Sequence, residues 1–434
     1  MGERPPRGWS ETERRLWRCY RRGERLDLGE GGGTVRAEAL THLLLDGPPP
    51  EPGRTARLDL VGAEVTGQLD LTGARCPVPV KLRRCRFAER VLLDYAEITW
   101  WNLDGSHLNG LDGEGLRVGL WLGLRDAVVE QELWLHDARI SGGLDLSRST
   151  LRGADGFALM AKQLVVEGDL RAHGLHAVGE LRLARSRIGG TLDLTGARLE
   201  RTGGGGAADL AELRARRTVL DLDPASAGTL SLHSAEPGLL VADPARWPPH
   251  CRLDLTAAVF TGLEPTAGRP PRARLDWLAG HVTAAPPAVY AQLAAAYRQA
   301  GQEQAARDVL IRKERLRHRA AGPAGRVWGH LLEALVGFGY RPARALLWLA
   351  GLLAAGTAYF AAAGPPRAAD PGGPAWNPLL YVLDLTVPFL GLGRRTAWDP
   401  VGAGGAVALA LTVAGWVLAT AVAGAAAKAL SRER

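Results

Sequence analysis

The chain has 434 residues, enough for two or three domains, and a net charge of +7. The positive charge raises the question of nucleic acid, but arginines are interspersed with Asp and Glu and become dense only over residues 307–344, so we expect no nucleic-acid partner. The cysteines form no Cys-x-x-Cys pair and have no His at ligand spacing, which argues against disulfides and zinc; they are Cys19, Cys76, Cys85 and Cys251.

Residues 1–50 predict a small helical cap for the part of the chain that follows. Ser10 and Glu13 have the spacing of a capping box, and apolar residues follow at helical spacing. A second helix is predicted over residues 35–45, before a Pro-rich run. The N-terminus lacks the apolar core of a signal peptide, so we expect the next domain in the cytoplasm.

A three-residue phrase recurs through residues 58–199, often at a spacing of 11. Its copies are Leu58-Asp-Leu60, Leu69-Asp-Leu71, Val80-Lys-Leu82, Val91-Leu-Leu93, Leu133-Trp-Leu135, Leu144-Asp-Leu146, Leu181-Arg-Leu183 and Leu192-Asp-Leu194. Alternation of apolar and other residues is typical of a short strand with one buried face. Two such units would make one coil of about 22 residues, so the sequence predicts a mainly β, right-handed parallel β-solenoid.

The repeat degrades over residues 102–123, and four tryptophans cluster around this stretch: Trp100, Trp101, Trp121 and Trp134. We interpret them as packing residues, with a ligand platform as the alternative. Weaker phrases such as Leu253-Asp-Leu255 extend the predicted solenoid domain over residues 51–280. The central Asp of each Leu-Asp-Leu phrase is expected to point outward and to form a solvated stripe or a partner-binding face.

Residues 286–342 predict a helical hairpin followed by a basic juxtamembrane helix. Tyr290 and Tyr297 lie at helical spacing, and Gly301 marks the turn. We expect the basic cluster of the second helix to contact anionic lipid headgroups; it consists of Arg312, Lys313, Arg315, Arg317 and Arg319.

Residues 343–434 predict a membrane domain with two spans. The segments 345–363 and 406–427 carry no charge, and both have about the 20 residues that a spanning helix needs. Arginine and lysine flank the outer ends of the pair, so the positive-inside rule places both termini in the cytoplasm. The lipid bilayer is therefore an expected partner, and the expected location is the inner (cytoplasmic) membrane.

The loop over residues 364–400 contains an apolar stretch that is too short to span, as expected of a re-entrant or interfacial half-helix. The candidate residues of this re-entrant loop are Tyr381, Asp384, Pro388, Gly391 and Gly393. The order of span, half-helix, turn and span is that of a two-span channel subunit, but Arg394 and Arg395 would repel a cation. The alternative is an amphipathic segment that lies on the outer membrane surface.

Several phrases together resemble a family of actinobacterial β-solenoid proteins, pentapeptide-repeat-like, that are labelled membrane-associated oxidoreductase. They are Arg36-Ala-Glu38, Leu69-Asp-Leu71-Thr-Gly-Ala74, Tyr290-Ala-Gln-Leu-Ala-Ala-Ala-Tyr297-Arg, Gly337-Phe-Gly-Tyr-Arg-Pro342, Asn377-Pro-Leu-Leu-Tyr381-Val-Leu-Asp384 with Pro388, and Gly415-Trp416. The resemblance implies redox chemistry, but it carries no catalytic residues to this chain. The sequence has no dinucleotide, haem or iron–sulfur pattern, so we expect no cofactor and no metal site.

The leading hypothesis is a membrane-anchored cytoplasmic β-solenoid that acts as an interaction scaffold for an unidentified protein partner. One alternative is a channel-like pore with a regulatory solenoid, which requires a homo-oligomer. The other is the oxidoreductase that the resemblance implies, which requires a bound cofactor.

Overall fold

The computed structural model describes residues 5–29, 32–200, 206–264, 271–283, 286–320, 322, 343–368, 375–387 and 389–430. The chain divides into two compact units, Met1–Ala306 and Arg307–Arg434. The first unit contains the strands of a parallel β-solenoid of about nine turns, and the second contains mainly helices.

The solenoid strands are short because each occupies one side of a coil. In chain order they are β1 (Leu26–Asp27), β2 (Gly33–Arg36), β3 (Leu58–Val61), β4 (Ala63–Thr66), β5 (Arg75–Cys76), β6 (Val80–Arg83), β7 (Arg86–Phe87), β8 (Val91–Leu92), β9 (Glu97–Asn102), β10 (His107–Leu108), β11 (Leu111–Asp112), β12 (Arg117–Gly123), β13 (Val128–Val129), β14 (Leu133–Trp134), β15 (Arg139–Ile140), β16 (Gly143–Asp145), β17 (Thr150–Met160), β18 (Val165–Val166), β19 (Leu170–Arg171), β20 (His176–Arg182), β21 (Arg187–Asp193), β22 (Arg198–Glu200), β23 (Ala208–Asp209), β24 (Arg214–Val219), β25 (Ala227–Ser231), β26 (Gly238–Val241), β27 (His250–Asp254) and β28 (Phe260–Glu264). They form two 14-stranded parallel sheets, one running from β1 to β28 and the other from β2 to β27.

The strand register confirms the predicted coil length. Leu58 pairs with Val80 and Leu111 with Leu133, both 22 positions apart, and other coils differ by a few residues, as where Leu144 pairs with Leu170. Inward-facing Leu, Val and Ile side chains from all sides of the coil are buried and form one continuous core. This stacking buries the apolar face that a single coil would leave in water.

The degraded repeat over residues 102–123 does not interrupt the solenoid. Strands β10, β11 and β12 continue both sheets without a break. Leu103, Leu108, Leu116 and Leu122 are fully buried in the core. The coil needs apolar residues only at its inward positions, and these persist where the outward residues change character.

Two helices lie at the N-terminal end of the solenoid, α1 (Glu11–Arg22) and α2 (Ala37–Leu45). The predicted capping box is confirmed, because Glu13 N donates to Ser10 Oγ at 3.2 Å and Ser10 N donates to Glu13 Oε2 at 2.8 Å. Helix α1 contacts β1, β2 and β3, which are the first strands of the two sheets.

Helices follow strand β28, which ends at Glu264. They are α3 (Pro271–His281), α4 (Pro287–Gln299) and α5 (Glu303–Ala320). Helix α4 packs on β28, where the Gln292 side chain accepts a hydrogen bond from Phe260 N at 2.7 Å. The buried Arg274 of α3 donates to Ala242 O at 2.8 Å.

The second unit contains α6 (Ala343–Ala363), α7 (Pro378–Thr386), the short α8 (Arg394–Ala397) and the long α9 (Ala403–Leu430). Strands β29 (Arg367–Ala368) and β30 (Trp398–Asp399) pair antiparallel. The prediction of two spans is not confirmed: among the described residues only Ala403–Thr420 is long and apolar enough to cross a membrane, whereas Leu347–Ala363 is a shorter apolar helix. Alanine and glycine fill much of both segments and keep their hydropathy low.

Candidate functional site

The short helix α7 lies against both α6 and α9 and carries the predicted re-entrant residues. Tyr381 is buried, with its ring centroid 5.1 Å from that of Phe360 and 5.2 Å from that of Trp376. Val382 and Leu385 complete the core between the three helices. Helix α7 begins after Asn377, whose side chain accepts a hydrogen bond from Leu380 N at 3.1 Å and so caps the first turn.

Two glycines allow α7 to approach its neighbours closely. A Cβ at Gly415 of α9 would lie 2.1 Å from Thr386 O, and a Cβ at Gly356 of α6 would lie 2.7 Å from the Val382 side chain. Small residues have the same role where helices pack in membranes. The sequence analysis named Gly415 only as part of a family phrase and identified neither glycine as a packing position, because alanine and glycine are abundant throughout these helices.

Asp384 holds the chain that returns from the end of α7. Its carboxylate accepts hydrogen bonds from the backbone N–H groups of Leu392, Arg394 and Arg395 at 2.8–2.9 Å. The side chain is buried, and hydrogen bonds to a charged acceptor are about twice as strong as neutral ones. The turn thus fixed contains Gly391 and Gly393, both with positive φ angles of 53° and 70°.

Pro388, the remaining predicted residue of the re-entrant loop, lies outside the described residues. Four of the five predicted positions therefore fall within one compact helix and turn. The structure contains no bilayer, so the re-entrant placement stays a prediction.

The end of this turn is apolar and exposed. Phe389 is 82 % exposed, and Leu390 and Leu392 also face outward. The Phe389 ring lies 6.3 Å from Trp416 of α9, so the turn continues the exposed apolar face of that helix.

The predicted basic cluster lies on α5, but it is not uniformly exposed. Arg317 is exposed and pairs with the buried Glu314 at 3.5 Å. Arg312, Lys313 and Arg315 are half-buried, and the side chain of Arg319 lies outside the described part of the chain. Contact with anionic lipid at this cluster stays a prediction.

The expected solvated aspartate stripe was wrong at two positions. Asp59 and Asp145 are each 2 % exposed, because arginine side chains from neighbouring coils cover them. Arg83 pairs with Asp59 and Arg125 pairs with Asp145, both at 2.9 Å. The central aspartates also lie on two different sheets rather than on one face, since Asp70 bridges to Leu92 in the sheet opposite Asp59.

A groove of about 440 Å³ lies on one side of the solenoid. Its lining residues are Arg90, Asp94, Asp112, Glu114, Glu132, Trp134 and Phe157. Arg90 Nε donates to Asp112 Oδ2 at 3.0 Å, and Arg90 Nη1 donates to Glu132 Oε2 at 3.2 Å. Burial, and then repulsion from Asp112 and Glu114, raises the pKa of Asp94 above its usual range.

The tryptophans near the groove differ in burial and in the side chains that they contact. Trp101 is fully buried, as the packing interpretation predicted. Trp100 and Trp121 are register partners in adjacent coils, and each carries a cation over its ring: Lys81 at 4.5 Å and Arg171 at 5.5 Å.

The interpretation of Cys76 and Cys85 as small buried residues is confirmed. Burial raises the pKa of both thiols to about 11, as it does for Cys251. These thiols are therefore protonated at neutral pH and poor nucleophiles. No group of three or more metal-ligating side chains is found within the described ranges.

No protein-family model, no curated protein and no solved structure matches this chain. The resemblance to membrane-associated oxidoreductases therefore rests on the sequence phrases alone. The architecture and the surface of the second unit carry the functional argument.

Proposed function

We propose that this protein is a membrane-anchored β-solenoid that acts as an interaction scaffold at the inner (cytoplasmic) membrane. The exposed apolar face of α9 carries the proposal. Leu409, Val413 and Trp416 are 66 %, 54 % and 50 % exposed, and only 22 % of the segment Ala403–Thr420 is buried within the protein.

Such a surface is costly in water, where each apolar side chain of this size is worth roughly 1.5–3 kcal/mol on burial. Soluble monomers rarely expose large contiguous apolar patches. A bilayer would cover the face, and the length of α9 suits the hydrocarbon core. The turn at Phe389 would enter the same lipid phase, supported by the hydrogen bonds of Asp384.

The solenoid supports the scaffold role. Stacked coils form long surfaces with regularly spaced side chains, and repeat proteins use such surfaces to bind partners. Arginines on α5, which precedes the membrane segment, would keep this domain on the cytoplasmic side.

Alkaline carbonate extraction of membranes from expressing cells tests the anchor. We expect the full chain to stay in the membrane pellet. The variant Leu409→Gln/Val413→Gln/Trp416→Gln should move to the soluble fraction, because three polar side chains oppose insertion without touching the core of the second unit.

The matched control is Leu45→Gln/Tyr95→Gln, which changes exposed apolar residues of the first unit and should stay in the pellet. If the unmodified protein were soluble after extraction, the anchor would be excluded.

A further inference from the structure

One outward column of the solenoid is dominated by arginine. Register partners from successive coils place Arg75, Glu97, Arg117, Arg139, Val165, Arg187, Arg214 and Glu236 in a single row. The arginines of this row are exposed. Adjacent strands lie about 4.8 Å apart, so the row is a regular array of positive charge.

Some of these charges lack compensation. Arg75 and Arg117 share Glu97 at 2.9 and 3.2 Å. Arg139 and Arg187 have no carboxylate within ion-pair distance in the described part of the protein. Each also lies directly opposite another arginine in a neighbouring coil. Like charges placed opposite each other destabilise a sheet. An anion bound at this row would therefore reduce the repulsion between neighbouring arginines.

Four of the five side chains next to the row are short, and the fifth is the exposed Glu167, so most of the face is open to a flat surface. The positions two residues further along the coils are Thr99, Gly119, Ser141, Glu167 and Gly189. A Cβ at Gly189 would lie 2.1 Å from Glu167 O, so this position requires glycine. The guanidinium groups therefore extend beyond the four small neighbours.

The edge of the same face is apolar and aromatic. Leu120 is 59 % exposed and directly precedes Trp121, whose register partner in the adjacent coil is Trp100. Tryptophan and leucine beside arginine are the side chains that peripheral proteins place at the membrane–water interface.

We propose that this row and its Leu120 edge bind the anionic headgroups of a bilayer, so that one side of the solenoid lies on the membrane. The positive charge of the row calls for an anionic ligand. The apolar edge favours a lipid surface over nucleic acid, because Leu120 can contact the apolar part of a bilayer. The inference deepens the proposed function, because it names the surface by which an anchored scaffold would be oriented.

The experiment places an environment-sensitive fluorophore at Ser141→Cys, beside Arg139, in the full chain with Cys19→Ser. The protein is reconstituted into nanodiscs of phosphatidylcholine, alone or mixed with phosphatidylglycerol, that contain headgroup-labelled quencher lipid. We expect quenching only with the anionic lipid, and its loss at high salt. A label at Ala88→Cys on another side should stay unquenched.

The variant Arg139→Gln/Arg187→Gln should lower the ratio of docked to undocked label about 25-fold, since each arginine at an anionic surface is worth about fivefold. The matched control is Arg86→Gln/Arg252→Gln, which removes two exposed arginines from other strands and should leave the ratio unchanged.

Equal quenching in both lipids, or none at Ser141, would overturn the inference while leaving the anchor intact. If the protein did not insert into the nanodiscs, the proposed function would be overturned instead. Anionic vesicles added to the protein in solution would then test lipid binding with the same label. A response to single-stranded RNA but not to anionic lipid would also reject a bilayer as the occupant.

Discussion

Glu13 links three features of the N-terminal region through one buried carboxylate. It closes the capping box of α1, pairs with Arg36 Nη2 at 2.8 Å, and accepts from Arg36 N at 3.1 Å. The hydrogen bond from the Arg36 side chain lowers the pKa of Glu13 to about 2. The sequence predicted the cap from Ser10 and Glu13, but the role of Arg36 depends on a contact between residues 23 positions apart.

Glu13→Gln should destabilise α1 at neutral pH by about 2 kcal/mol, less than the full pKa shift implies because Arg36 is partly exposed. The folded pKa lies below the unfolded value near 4.3, so this stability is present above about pH 5 and is lost as the pH falls toward 2. Amide hydrogen exchange of residues 11–22 measures the stability of α1 in both proteins. The difference between the two proteins should shrink on acidification, and exposed Glu11→Gln serves as the control.

Equal protection in Glu13→Gln and Glu11→Gln at neutral pH would show that the buried ion pair contributes nothing.

At the scale of elements, helix packing in the second unit depends on where glycine occurs rather than on how much glycine there is. Gly415 permits the contact with Thr386 O, whereas a Cβ added at Gly351 of α6 would have no atom within 4 Å. The apolar composition of these segments predicted helices, but it could not distinguish the two glycines. The sequence predicted Asp384 as part of a re-entrant loop, but its three backbone partners are evident only from the folded chain.

Gly415→Ala should lower the thermal stability of the detergent-solubilised protein, because overpacking at a backbone contact costs about 1–3 kcal/mol. Gly351→Ala should be neutral or stabilising by up to about 1 kcal/mol, since alanine favours a helix and meets no neighbour. Thermal melting monitored by tryptophan fluorescence compares the two. Similar melting temperatures for both variants would contradict close packing of α7 on α9.

At the scale of the whole molecule, the solenoid is close to one-dimensional: each coil pairs with its neighbours through the same register. Leu170 pairs with both Leu144 and Leu192, and the residues between them form complete turns. Local pairing of this kind predicts that stability is approximately a sum over coils. A coil is therefore an exchangeable unit, whereas a fraction of a coil is not.

Deletion of residues 171–192 joins Leu170 to Asp193 and keeps every remaining side chain on its own side of the coil. We expect a folded protein with β-rich circular dichroism and a moderately lower melting temperature. Deletion of residues 171–181 removes half a coil and shifts all later strands to another side, so we expect aggregation. Size-exclusion chromatography separates these outcomes, and equal behaviour of both deletions would contradict the coil assignment.

The sequence alone determined the parallel solenoid and its period, because stacked coils require apolar residues at fixed inward positions and that spacing is visible in the chain. It also determined the cap of α1, whose partners are three residues apart. The outward surface was decided by the tertiary structure. Whether Asp59 is solvated or covered, and whether Arg117 faces Arg139, depends on register partners about one coil away, and a three-residue phrase carries no information about them.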